Sequence, residues 1–180
     1  MDIRTHLLKG NSRANAEAVA AYVGNDRDRF RVLMHCMLDD DRRTGQLASH
    51  SVAIVCDTYP DLALPYLGRL LGTLDAPVHE AVQRNSIRIM QTCTLPKGLH
   101  GRITSVMFAV IAEPRRSIAQ RAFAITVAAR MVDVYPELAA ELELLLIDAL
   151  RTDPGPAIRL RAGKVLKAIR GTTPGLQNAS

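Results

Sequence analysis

Apolar positions along the chain recur every three or four residues, in runs cut by short polar, glycine or proline turns. The clearest run is 26–38, where Phe30, Leu33, Met34, Met37 and Leu38 fall on one helical face. Before it, Asn11 or Ser12 can cap a helix over 13–23 that Gly24 closes. After it, the acidic turn at 39–45 leads to a helix predicted over 46–58. The same pattern predicts helices over 61–74, 78–93, 97–112, 115–134, 137–150 and 157–169. No stretch alternates apolar and polar residues between turn signals, so no sheet is expected. The run 103–112 is apolar enough for a strand, but its place among the helices argues helix. Phe123, among Ala119, Ala122 and Ala124, is expected to be buried between helix pairs.

The breaks between helices repeat. Pro60, Pro96, Pro136 and Pro174 are spaced 36, 40 and 38 apart, and Pro77, Pro114 and Pro154 fall between them at 37 and 40. Tyr59-Pro-Asp-Leu-Ala returns 76 residues later as Tyr135-Pro-Glu-Leu-Ala. Two proline series in one period mean two helices per unit, since proline is excluded from helix interiors. The second series sits in acidic turns at Asp75, Glu113 and Asp153, each followed by a helix with Arg84, Arg121 or Arg161 near its start. Such units stack into an α-solenoid.

The recurring turn and basic helix start (Val82-Gln-Arg84, Ala119-Gln-Arg121, Ile158-Arg-Leu-Arg161) resemble the HEAT repeat across residues 26–170. The fold expected is all-α, a right-handed α-α superhelix of about four helix pairs with an N-terminal cap helix. Residues 1–171 form one domain in this reading, with units at 26–58, 59–94, 95–134 and 135–170, and 172–180 as a frayed tail. A closer resemblance lies in Asn11-Ser-Arg-Ala-Asn-Ala-Glu17, Gly24-Asn-Asp26, Pro77-Val-His-Glu-Ala-Val-Gln-Arg-Asn85 and the two Tyr-Pro motifs. These are similar to a family of small bacterial HEAT-like proteins without an established activity, some of which carry the name adenylosuccinate lyase. Lyases of that superfamily are far longer and use a Ser- and Gly-rich loop with a Met-Pro-x-Lys core, which is absent here. Where the family has Gln-Arg-Ala in its first unit, this chain has Gln46-Leu47-Ala48, which interrupts a basic row.

Composition narrows the function. Seven aromatic residues and no Trp leave Ala, Leu, Val and Ile to build the core, which favours close helix packing. Three cysteines without a Cys-x-x-Cys pair are no disulfide framework and suit a reducing compartment. The N-terminus lacks the basic-then-apolar order of a signal peptide, and the longest apolar run is half a membrane span. A soluble cytoplasmic protein without membrane attachment is expected. The net charge of +5 lies in the last helix and tail, where residues 151–180 hold six basic side chains and one acidic. Such a segment attracts polyanions weakly.

No catalytic residue, metal ligand or cofactor is assigned. His79-Glu80-Ala81-Val82-Gln83 is one histidine short of the zinc-protease helix motif, because Gln83 replaces the second imidazole. His35, Cys36, His50 and Cys56 do not make a ligand set, since adjacent residues point apart on a helix. The Asp39-Asp40-Asp41 turn has Arg43, Thr44 and His50 where a calcium loop needs an oxygen ligand, Gly and Glu. Gly163-Lys164 lacks the rest of a phosphate loop.

The arginines remain. In HEAT-like repeats the second helix of each pair lines the concave surface, which would set Arg84, Arg88, Arg121, Arg161 and Lys164 along a groove. The competing reading has them brace the acidic turns at Asp75, Glu113 and Asp153, with Arg121 to Glu113 the first choice. A non-catalytic module that binds a protein partner is the expectation. The alternative is weak, non-specific nucleic-acid backbone binding, or a degenerate form of the HEAT-like glycosylases for alkylated purines. Base extrusion needs stacking aromatics, whereas Tyr59 and Tyr135 sit beside prolines where packing between units is expected. A lyase stands last, and oligomeric state is left open.

Overall fold

Most helices of the computed structural model, which describes residues 1–39, 41–152 and 155–172, begin at a side chain that accepts the first free backbone N–H groups. Asp2 takes the Thr5 N–H at 2.7 Å and opens α1 (Ile3–Leu7). Ser12 takes that of Asn15 at 3.1 Å and opens α2 (Arg13–Val23), which Gly24 closes at φ +50°, a conformation that favours glycine. Asp26 caps α3 (Arg27–Leu38), Asp41 caps α4 (Arg42–Thr58), and the His79 ring nitrogen caps α6 (Glu80–Met90). Ser117 opens α8 (Ile118–Val134). The others are α5 (Leu67–Gly72), α7 (His100–Ala112), α9 (Ala139–Thr152) and α10 (Pro156–Thr172).

Among the described residues there is no strand, and no helix is long and apolar enough to cross a membrane. The expected all-α repeat stands, with differences in detail. The α4 helix starts at Arg42 rather than 46, because Asp41 caps it and Gly45 is carried inside. The span 61–74 is not one α-helix. Pro60–Tyr66 is a 3-10 helix, since Pro65 cannot supply an N–H to an α-helical ladder, and α5 follows it. Lys97–Leu99 and Pro136–Leu138 are likewise 3-10 turns ahead of α7 and α9. The α1 helix was not anticipated: five residues are too few for a periodic signal, and Ile3 and Leu7 hold it down by burial. Asp40, Asp153, Pro154, Pro174 and most of the 172–180 tail lie outside the described residues.

The chain divides into two compact units, residues 1–99 and 100–180. In the first, α4 is central: α3 packs across it, and α2 and α6 flank it. In the second, α8 packs against α7, α9 and α10, and α9 also touches α7 and α10. Within each unit, even-numbered helices neighbour even-numbered ones. The first unit's core holds Leu33, Met34, Val52, Leu67, Leu70 and Ile87, all solvent-free. Buried polar groups join helices instead of breaking them: Asn85 of α6 donates to Ser49 of α4 at 3.0 Å, and Thr73 donates to Ser86 at 3.0 Å. Cys36, Cys56 and Cys93 are buried thiols outside any disulfide, and burial, with Cys93 and Asp57 adding to it, pushes the Cys56 thiol up to about 12.

Two helical glycines separate backbone propensity from packing. A methyl added at Gly163 in α10 meets nothing within 4 Å, so Gly163→Ala is expected to stabilise by about 0.5–1 kcal/mol through helix propensity. A methyl at Gly45 lies 3.0 Å from the Met37 carbonyl oxygen, a backbone atom unable to swing aside. Gly45→Ala is therefore expected to lose about 1–3 kcal/mol despite the same propensity gain. Thermal melts of the two variants should move in opposite directions.

Candidate interaction surface

The caps of the even helices set the register of everything after them. Asp41, His79 and Ser117 follow each other at successive intervals of 38. The fourth residue after each cap is Gly45, Gln83 or Arg121, and all three sit over carbonyls at or just past the end of the preceding helix. At Gly45 the backbone itself comes up to the Met37 carbonyl. Gln83 donates from Nε2 to the carbonyls of Thr73, Leu74 and Ala76 at 3.2, 3.4 and 3.3 Å. Arg121 donates from Nε to the Ile111 carbonyl at 3.1 Å and from a terminal nitrogen to the Thr152 hydroxyl at 3.5 Å. Carbonyls at and after a helix end lack the full set of intrahelical donors, and these side chains add one. Asn15 does the same for α1, donating to the carbonyls of His6, Leu7 and Gly10 at 2.9 to 3.3 Å.

The equivalent of Arg121 is thus Gln83, not Arg84. One residue further along a helix is a turn of about 100°, and it moves a side chain from inside to outside. Arg121 is 1% exposed, too buried to meet a ligand on a surface. Its bonds do not go to Glu113, whose carboxylate accepts the Arg115 backbone N–H at 3.0 Å. Asp75 makes no hydrogen bond or ion pair with any described residue, and Asp153 lies outside them. Among the described residues, Arg121 reaches the Ile111 carbonyl and the Thr152 hydroxyl, and neither Asp75 nor Glu113 takes part.

The remaining candidates fall on two faces. In the first unit, Arg84 is half-buried on α6 and has no hydrogen bond or ion pair to the described residues. Arg88, one turn on, pairs with Asp57 of α4 at 2.6 Å. Arg13 of α2 pairs with Glu17 at 2.7 Å. Half-buried His50 of α4 senses them: desolvation, then the charges of Arg88, Arg84 and Arg13, hold its imidazole below the ordinary 6.5. From sequence His50 is weighed only as a metal ligand, and the packing of α2, α4 and α6 is what sets it among these cations. An imidazole held low binds fewer protons folded than unfolded, so its stabilising contribution is present above 6.5 and lost as pH falls through the folded value. Melting temperature should therefore drop from about pH 7 to about pH 5, and His50→Gln should flatten part of that drop.

In the second unit, Arg161 of α10 donates to the Thr126 hydroxyl and lies over the Phe123 ring, 5.2 Å from its centroid. Phe123 is only half-buried, against expectation. The inward places of α8 are taken by Gln120, Arg121, Ala124 and Ile125, and Phe123 points to the face shared with α10, beneath that guanidinium. Lys164 is exposed and makes no hydrogen bond or ion pair to the described residues. Tyr59 is 37% exposed, and Tyr135 bonds the His100 ring through its hydroxyl at 3.0 Å, so neither has the role of a buried wedge.

Among the described residues no three His, Cys, Asp or Glu side chains group as a metal site. His79, from the near-miss zinc motif, spends its Nδ1 on the Ala81 N–H at 3.1 Å, and His35 turns to Asp39 while Cys36 is buried. A family model for the HEAT repeat domain matches residues 3–169. No curated protein and no solved structure matches the chain.

Proposed function

The chain belongs to the HEAT repeat domain family, a protein-interaction type of fold, and from that premise we propose that it is a non-catalytic module holding a protein partner against the cations of its even helices. Arg84 and Arg88 serve on the first unit, Arg161 and Lys164 on the second, and Arg121 is internal. The family match spans both units, and residues 1–171 are read as one repeat domain that needs no cofactor. Three buried cysteines held as thiols favour the reducing cytoplasm as its location.

One observation carries the choice of partner. On the first unit's face, Arg13 and Arg88 already have carboxylates of the chain itself, and Arg84 alone of the three lacks one among the described residues. A single uncompensated guanidinium suits a bidentate carboxylate contact in a protein interface. Tracking a phosphate backbone takes several uncompensated cations, each adding to the salt dependence.

Affinity purification of the tagged protein from its own cells, with and without nuclease, tests this. The expected result is a protein partner retained after nuclease and lost in Arg84→Glu, with the variant's melting curve unchanged. Nucleic acid as the only bound material, or a partner indifferent to Arg84→Glu, overturns the reading.

A further inference from the structure

A groove of about 700 Å³ runs between α8 and α10 within the second unit, well inside the range of about 300–1,000 Å³ usual for ligand sites. We propose that it docks an acidic, leucine-bearing helical segment of a partner protein. This rests on the interaction-module reading and deepens it by giving the chemistry of what is bound.

The groove is walled by apolar side chains, with Val132 from α8 and Val165 and Ile169 from α10. At its rim Leu160, 76% exposed, extends the apolar lining to the surface. An apolar lining of this length fits the apolar stripe of an amphipathic helix. Charge then selects which helix. Arg130, Arg161 and Lys164 line the groove against one carboxylate, Asp133. The α10 helix also carries exposed Arg159 and Lys167, while Arg170 pairs with Glu143 at 2.8 Å, so an approaching acidic segment is drawn toward this helix before contact. Arg161 is already fixed by the Thr126 hydroxyl and the Phe123 ring. A carboxylate meeting it has little side-chain entropy to remove, which is how preorganisation raises affinity.

Other occupants fit less well. A second copy placed symmetrically on this face sets one basic α10 against another. A lipid surface needs a broad, outward apolar face, but Val132, Val165 and Ile169 line a recess, and only Leu160 stands out at its rim.

The probe is a fluorescein-labelled peptide of about 14 residues, roughly four helical turns, with Leu along one face and Glu elsewhere. Fluorescence anisotropy with the full chain should show saturable binding that weakens as salt rises. Leu160→Asp and Lys164→Glu should each weaken it by roughly tenfold or more. Replacing Glu by Gln in the peptide should do the same, and Leu144→Asp, at an exposed leucine outside the groove, should leave it unchanged. Both groove positions are exposed, so circular dichroism should show every variant folded.

The inference is overturned by no saturable binding below about 1 mM, or by binding indifferent to both groove variants. It is equally overturned by a wild-type dimer that Leu160→Asp dissociates, by tighter binding of anionic phosphatidylserine vesicles than of the peptide, or by a synthetic peptide of residues 173–180 displacing the probe. Loss of probe binding with Arg84-dependent capture intact removes the groove and spares the module; the opposite pattern removes the first-unit contact and spares the groove.

Discussion

Arg121→Ala is expected to destabilise the protein by about 3–5 kcal/mol. Arg121 ranks among the largest fully buried side chains, so truncation leaves a cavity between α7, α8 and α9. It also strips the Ile111 carbonyl of its donor at the end of α7, where a buried acceptor without a partner is costly. Arg121→Gln should recover more than half of the loss, because Gln83 at the equivalent place serves the carbonyls just past α5 with one amide group. Urea melts of the three proteins decide it. A glutamine variant no better than alanine would show that the 38-residue equivalence is geometric but not energetic.

Phe30→Ala should cost a similar amount, about 3–5 kcal/mol, while Phe123→Ala should cost about 1 kcal/mol. Phe30 is 1% exposed and meets the Tyr66 ring edge-on, 5.9 Å between centroids, so its removal empties space that nothing can refill. Phe123 is half-buried and loses mainly its stacking under Arg161. Equal losses for the two, measured by chemical denaturation, would mean that Phe123 has a packing role its exposure does not reveal.

Much of the architecture was legible in the residues because its signals are local. Ser12 and Gly24 bracket α2 where read, and the paired proline series marks two helices per repeat. Local signals also explain the misses. Pro65 sits in a run that periodicity alone takes for one helix, and α1 is too short to show a period. The arginine register failed for a sharper reason. Proline spacings wander between 36 and 40, whereas the caps keep 38, and an error of one residue exchanges an inward for an outward side chain. Counting from Asp41, His79 and Ser117 separates Arg121 from Arg84 without any coordinates. Pairs such as Arg88 with Asp57 are 31 residues apart, and no spacing rule announces them: they depend on which face of α4 meets α6.

All three cysteines lie in the first unit, and none lies in the second. A thiol closed off from water, and at Cys56 held protonated far above neutral pH, reacts with an alkylating reagent only when the surrounding structure opens. The natural chain therefore carries an intrinsic clock for residues 1–99 that is silent for residues 100–180. Pulse labelling followed by mass spectrometry would time breathing of the first unit alone, with no introduced label. Set beside a global melt, it would tell whether the two units unfold together or in turn.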